Sequence, residues 1–576
     1  MKRKKGISLL LAAAMLASSL MACGSSQTAG TDASAAAGTT EGTAAETTGA
    51  GETAAGTAAG TAAAGGAATA VSADYLKVAL PSECETMDPG QCCYILSGSV
   101  MKALFTGLYK TDETGGKLTN GCAESYDLSA DGLTYTFHLY DGLKWSDGSP
   151  VTAGDFEYAW KRVLDPATAS GACDAFYVIK NGEEYNEGKC TADDVGIKAS
   201  DDKTLVVTLN APTPYFLDIT AEACYFPVCK SVVSQNDKWS QSADTYVSNG
   251  AFKLTEVAPQ QDYVLVKNDN YRDAAKVSIP GIEMVFIEDS SSALTAFKNG
   301  EVDLTTNISQ QAQSEFAGTD TLKEFPTIGL QYYDINCDNI TDARVRLALS
   351  MDVDRDTINK SIVSSRPDSA FGIVPEGISY SDSGKAFRDV AGNPIEYSPE
   401  KAKALVDEAV AAGFDASKEY TFICKNDSEV MTIVQAIQAM WKKDLGLNFK
   451  ITTYESGSYW DQFYAGNFDV AADSWTCDYD DPNSILEVFK VKNMADQNRW
   501  KGDNAEKYNK MIEDAAASTD QDFRFKTFED AEKLLVQESP IIPMYYKKSQ
   551  VLVSDRVTNY VSDHLGHNLF EYTKIG

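Results

Sequence analysis

Eighty-three carboxylates, fifty Lys and Arg, twelve cysteines and only three histidines bound the chemistry open to this 576-residue chain. Enzymes that use imidazole as their base have few positions to draw on. His138 sits in the alternating run T-Y-T-F-H-L-Y, on one face of a predicted strand, while His564 and His567 lie near the C-terminus. No G-x-S-x-G elbow, H-E-x-x-H pair or phosphate-binding loop occurs. A carboxylate-only hydrolase stays formally open, yet nothing singles out one pair of acids. No C-x-x-C occurs and no cysteines group with histidine at metal-ligand spacing, so neither metal nor cofactor is expected. Most cysteines are expected as small buried hydrophobes, with one or two disulfides left open.

Cys23 is the exception. Lys2, Arg3, Lys4 and Lys5 precede an apolar stretch, Ile7–Met21, that is too short to span a bilayer comfortably. Leu20-Met21-Ala22-Cys23 then resembles a bacterial lipobox, whose cysteine is lipidated and becomes the mature N-terminus. Gly24–Ser72 holds no Lys, Arg or aromatic residue and too little apolar surface to offset its ordering entropy. A flexible chain of that length spans roughly 40 Å. The expectation is a signal peptide over 1–22, then lipidated Cys23 and a disordered linker over 23–73. Beyond it a water-soluble body is held to the extracytoplasmic face of the cell membrane by lipid alone.

Removing residues 1–22 takes away four basic and no acidic residues, lowering the net charge from −33 to −37. Such a body is repelled by phosphate backbones, which excludes nucleic acid as a natural partner. Residues 74–576 suffice for two or three domains.

The pattern along this body changes midway. Over 125–148 the alternation Leu133–Leu139 and the turns A-D-G, Y-D-G and S-D-G predict an antiparallel meander. A helix follows, with Thr152 as N-cap, ended at Asp165-Pro166. Further on, Ser398 and Pro399 open a helix that Gly413 closes. Tyr420–Cys424 reads as a strand. Val430, Ile433, Val434, Ile437, Met440 and Trp441 follow at helical spacing up to Gly446. Leu447–Thr453 is a second strand, a short helix spans Tyr459–Tyr464, and Phe468–Trp475 is a third strand. This β-α-β-α-β order predicts a parallel sheet, with ligand beyond the carboxyl ends of its strands, where Trp475–Tyr479 lies. The fold class is α/β in two lobes, with a site between them.

A series of motifs spans most of this body. M-D-P begins at Met87 and A-L-F-T-G-L-Y at Ala103. S-A-D-G-L-T-Y-T-F-H-L begins at Ser129, K-W-S-D-G-S-P-V-T-A-G-D-F at Lys144 and Y-A-W-K-R-V-L-D-P-A-T-A-S at Tyr158. S-N-G-A-F-K-L follows at Ser248, L-V-K-N-D-N-Y at Leu265 and A-F-K-N-G-E-V-D at Ala296. A-R-V-R-L-A-L-S-M-D-V-D-R at Ala343 and D-S-W-T-C-D-Y-D-D-P at Asp473 complete it. In this order the chain resembles the extracytoplasmic solute-binding proteins of ABC importers, in particular the oligopeptide-binding group, solute-binding family 5.

The resemblance implies a periplasmic-binding-protein-like fold of three domains that closes by hinge motion. Domain I would comprise 74–110, 230–334 and 541–576, domain II 111–229 and domain III 335–540. It implies a monomer that takes an extended oligopeptide by main-chain hydrogen bonding and delivers it to an ABC permease and ATPase complex. Asp478 matches the acid that holds the peptide's α-ammonium, and Ser474 and Thr476 would bond the peptide backbone. Trp475 and Trp460 are pocket walls or core. Cys93, Tyr94 and Ile95 occupy the segment that lines the cleft from domain I, although an acid often stands in relatives where Cys93 is. Gly171 and Ala172 replace a proline and an aromatic, and Ala472 stands where some members carry an arginine for the carboxylate of short peptides. Asn249 reads as a turn or hinge residue, and Arg344, Arg346, Asp354 and Arg355 as surface or inter-helix ion pairs. The same fold carries dipeptides, nickel, haem and oligosaccharides in related proteins. Few histidines disfavour nickel, oligosaccharide is the main competitor, and a surface hydrolase or a peptide sensor are further alternatives.

Overall fold

The computed structural model describes residues 74–363, 367–380, 385–490 and 498–576. The signal segment, Cys23 and the linker lie outside them. Two larger sheets organise the described chain. In chain order their strands are β1 (Leu76–Leu80), β2 (Ala123–Leu128), β3 (Thr134–Leu139), β4 (Ile197–Asp201), β5 (Thr204–Thr208), β6 (Phe252–Ala258) and β7 (Asp262–Lys267). Then come β8 (Gly281–Phe286), β9 (Leu304–Thr305), β10 (Leu322–Ile335), β11 (Glu419–Lys425), β12 (Asn448–Tyr454), β13 (Val470–Thr476) and β14 (Ile541–Val553). Four strands pair in the order β2-β3-β5-β4, and the other ten form one sheet, β12-β11-β13-β10-β14-β9-β1-β8-β7-β6.

The small sheet follows from the alternation in β3. Tyr135, Phe137 and Leu139 are buried while Thr134, Thr136 and His138 are half-buried. The predicted meander keeps only its first two strands. Beyond Tyr140 the chain turns, with a single bridge between Lys144 and Pro150, and β3 takes β5 as its second neighbour. The S-D-G turn closes only a short hairpin around that bridge, the Trp145 amide donating to the Ser149 carbonyl at 2.8 Å. The next helix, Ala153–Leu164, starts as expected: Thr152 and Asp155 form a reciprocal capping box.

The β-α-β-α-β expectation holds in the far half of the large sheet. β11 pairs in parallel with both β12 and β13. Helix Pro399–Ala411 is opened by Ser398, and helix Ser428–Met440 is capped by the Asp427 carboxylate, which accepts from the amides of Glu429 and Val430. The latter buries Ile433, Val434 and Ile437, then widens into a π-turn over Trp441–Leu445 before left-handed Gly446 (φ 76°).

Two long antiparallel strands, β10 and β14, run between the halves of the sheet. Their register slips between Pro326 and Leu330, where Pro326 offers no amide, and again between Gln331 and Tyr332. Leu330 and Tyr332 face one core cluster, Tyr333 and Ile335 the other. A third, larger cluster unites the four-stranded sheet with β1 and β6–β8.

Buried Asn249 locks a chain crossing: its Oδ1 accepts from the Thr106 amide at 3.0 Å and its Nδ2 donates to the Thr106 carbonyl at 2.9 Å. Gly250 beside it tolerates no side chain, since a Cβ would fall 2.5 Å from the Leu104 carbonyl carbon. Of the four residues expected in ion pairs, two need correction. Arg344 pairs with Asp342 and Arg346 with Glu538, but Asp354 is an N-cap, and fully buried Arg355 donates to the carbonyls of Ser350, Val353 and Pro543. Carbonyls at the end of helix Ala343–Met351, together with that of Pro543 in β14, supply the acceptors that a carboxylate was expected to give. The eleven described cysteines are free thiols; six are buried, and Cys93 is exposed.

Candidate functional site

β13 presents an open edge. The Cys477 amide donates to the Ile328 carbonyl at 2.8 Å. The two-residue period of an antiparallel ladder therefore turns the main chains of Asp473 and Trp475 toward β10, and those of Ser474 and Thr476 away from it. On that other side β11 pairs only as far as Ile423–Ala471. The Ser474 amide meets only the neighbouring Asp473 Oδ1, at 2.7 Å, and the Thr476 hydroxyl accepts from Lys547 at 2.9 Å.

The strand runs directly into an acidic loop. The Asp478 amide donates to Ser484 Oγ at 2.8 Å, and Asp481 is clamped by buried Arg524 at 2.8 Å. Asp478 lines a cavity whose walls come from loops and turns of both lobes: Asp478, Tyr479 and Asp480 on one side, Lys117, Asp218, Ala221 and Glu222 on another, with His564 and Leu565 completing it. Its acids differ in compensation. Glu222 lies 3.0 Å from Lys102, which also reaches Asp563 at 3.2 Å, and Asp563 in turn holds His567 at 3.1 Å. Asp480 accepts from the amide and hydroxyl of Ser379 at 2.9 and 2.8 Å.

Asp478 and Asp218 form no ion pair among the described residues, although Lys117 lines the same cavity. Enclosure by protein, together with the negative charges of Glu487, Glu222 and Asp174, pushes the Asp478 carboxyl up to about 7. The side chain still meets water, because it stands in a deep cleft rather than in packed core. Burial, with Asp480 and Asp481 nearby, raises Asp218 as well. An ammonium entering here would relieve both.

Of the cleft candidates, only Asp478 lines this cavity. Trp475 packs against the core cluster below β10. Trp460 stacks on Tyr464 and carries Lys425 over its face, 4.6 Å from the ring centre. Tyr94 and Ile95, 61% and 46% exposed, begin helix Ile95–Leu104. Cys93 and Gly171 prove to be coupled departures, since a Cβ on Gly171 would lie 3.1 Å from Cys93 Sγ. Asp218, Glu222, Lys117 and His564 were not anticipated. Each sits far from Asp478 in sequence, and no local pattern marks a residue that meets another only through the approach of two sheets. Among the described residues no three His, Cys, Asp or Glu are placed to hold a metal, and no helix is long and apolar enough to cross a membrane.

Two sheet-bearing lobes joined by β10 and β14, with a charged cavity between them, define a solute-binding protein of the two-lobed α/β kind. Residues 117–497 match the middle region of bacterial extracellular solute-binding proteins, family 5, and the chain belongs to that family. The oligopeptide-binding protein OppA of Bacillus subtilis is 34% identical over 482 residues, covering 82% of this chain and 87% of the relative. The dipeptide-binding protein DppE of the same organism is 34% identical over 448 residues, covering 77% and 82%. The unliganded open form of the Escherichia coli murein tripeptide-binding protein MppA superposes with a TM-score of 0.75 at 28% identity, covering 87% of this chain and 97% of that one.

Proposed function

We propose that the protein captures oligopeptides by their backbone and free α-amine and delivers them to an ABC permease and its ATPase. The observation that carries this is the open edge of β13, Ser474 to Thr476, running into the uncompensated carboxylate of Asp478. An extended chain added along that edge would meet main-chain partners that any sequence satisfies, and its terminal ammonium would arrive at Asp478. Relatives named for peptide binding support the ligand class. The tryptophans that a sugar-binding reading relies on do not line the cavity.

In this reading the three-domain division 74–110 with 230–334 and 541–576, 111–229, and 335–540 describes the moving parts. Lipidated Cys23 and the linker keep the body, a monomer, at the extracytoplasmic face of the cell membrane. The test is calorimetry on the protein freed of ligand by unfolding and refolding, titrated with a pool of free-amine peptides and separately with oligosaccharides. Heat of binding from the peptides alone supports the proposal; binding of sugars alone overturns it.

A further inference from the structure

One contact between the lobes is built differently from the rest. Tyr215 precedes the short helix Phe216–Ile219, whose Phe216 packs on Tyr135 and Phe137 of the four-stranded sheet. Tyr479 follows β13 at the end of the ten-stranded sheet. Their rings stack at 4.0 Å between centres with 7° between planes. Tyr479 is buried in the large cluster around the four-stranded sheet, whereas its chain neighbours Cys477 and Ile485 pack in their own lobe's core. Its hydroxyl is fixed from its own lobe: it donates to Glu487 at 3.0 Å and accepts from Asn483 Nδ2 at 2.9 Å. A ring anchored in one lobe thus fills a socket in the other, next to Asp478 in the chain.

The lobes also meet at Gly132, where a Cβ would lie 3.1 Å from Thr519 Cγ2. That contact lacks any anchored side chain. A ligand cannot pass between walls joined by the Tyr215–Tyr479 stack, so entry and exit at this end require the rings to part.

We propose that Tyr215 and Tyr479 form an aromatic latch that holds the cleft shut at its Asp478 end and sets how long a ligand stays. The choice of ligand rests on the peptide-binding reading above; the closure itself does not. Tyr215 is the residue to vary, because Tyr479 also carries bonds inside its own lobe.

The test combines small-angle scattering of ligand-free protein with stopped-flow release of a fluorescent free-amine peptide pool. Tyr215→Ala should enlarge the ligand-free radius and speed release roughly three- to tenfold, the range of a stacked aromatic pair. Tyr215→Phe, which keeps the ring, should stay close to wild type, and Tyr215→Leu, which keeps apolar volume without a ring, should follow Ala. Tyr215→Leu also carries the test if the Ala variant does not fold. An unchanged radius and release rate in Ala or Leu overturns the latch, as does Phe releasing as fast as Leu. If wild type binds no peptide, the functional reading fails and the latch is judged on the radius alone.

Discussion

Replacing Asp478 with Asn removes the charge that the account assigns to the ligand's α-ammonium. The carboxyl stands at about 7 in the empty cleft against an ordinary 3.8. In a dry site that rise would represent about 4 kcal/mol of destabilised charge. Water reaches Asp478, so roughly half of it, about 2 kcal/mol, is what an arriving ammonium recovers. Asp478→Asn should therefore weaken free-amine peptides about thirtyfold. N-acetylating the peptide should cost wild type a similar factor, and the two losses should not add, because each removes the same pair. Titration calorimetry of the four combinations, on refolded ligand-free protein, measures all of this. Equal binding of acetylated and free peptides by wild type would refute the assignment. So would losses that multiply, since Asn and acetyl would then act at separate places.

The same pair predicts a pH optimum. It needs an ionised Asp478 and a protonated α-amine, the latter ordinarily titrating at about 7.7–8.0, so affinity should fall about tenfold per unit below pH 7 and again above pH 8. Because the folded carboxyl titrates above its unfolded value, it costs the empty protein stability as pH rises from about 4 to 7. Asp478→Asn should therefore raise the melting temperature at pH 8, by about one or two degrees, and leave it unchanged at pH 4. Thr476→Pro should abolish peptide binding in calorimetry while the protein stays folded, because this amide faces away from β10; Thr476→Val controls for the hydroxyl, and Trp475→Pro should unfold the lobe by circular dichroism. Arg524→Leu leaves buried Asp481 unpaired and should cost about 3–5 kcal/mol in denaturant unfolding. Cys23→Ser should release the protein into the medium, and continued tight membrane association in fractionation would refute lipidation.

What the chain disclosed in advance was local. The N-cap at Thr152, the period-two run in β3 and the helix stop at Gly446 each depend on a few adjacent residues, and each formed where the pattern placed it. The parallel arrangement of β11, β12 and β13 followed because a helix must cross between such strands. Asp478 was singled out because it follows a strand in that unit and matches a motif. The residues that face it were not legible. Asp218 and Glu222 gain their place from the approach of the small sheet to the large one, and nothing in T-P-Y-F-L-D-I-T-A-E announces it. Nor does that segment mark Tyr215 as a partner of Tyr479. Arg355 was read as an ion-pair partner because charge usually seeks charge; backbone carbonyls at a helix end and in β14 satisfied it instead.

Native mass spectrometry tests the central claim most directly. Ligand-free protein is mixed with an equimolar pool of free-amine peptides, their N-acetylated counterparts and oligosaccharides of similar mass. Complexes are expected with the free-amine peptides, few with the acetylated ones and none with the sugars. Complexes formed equally with acetylated peptides, or with the sugars in preference to peptides, would contradict it.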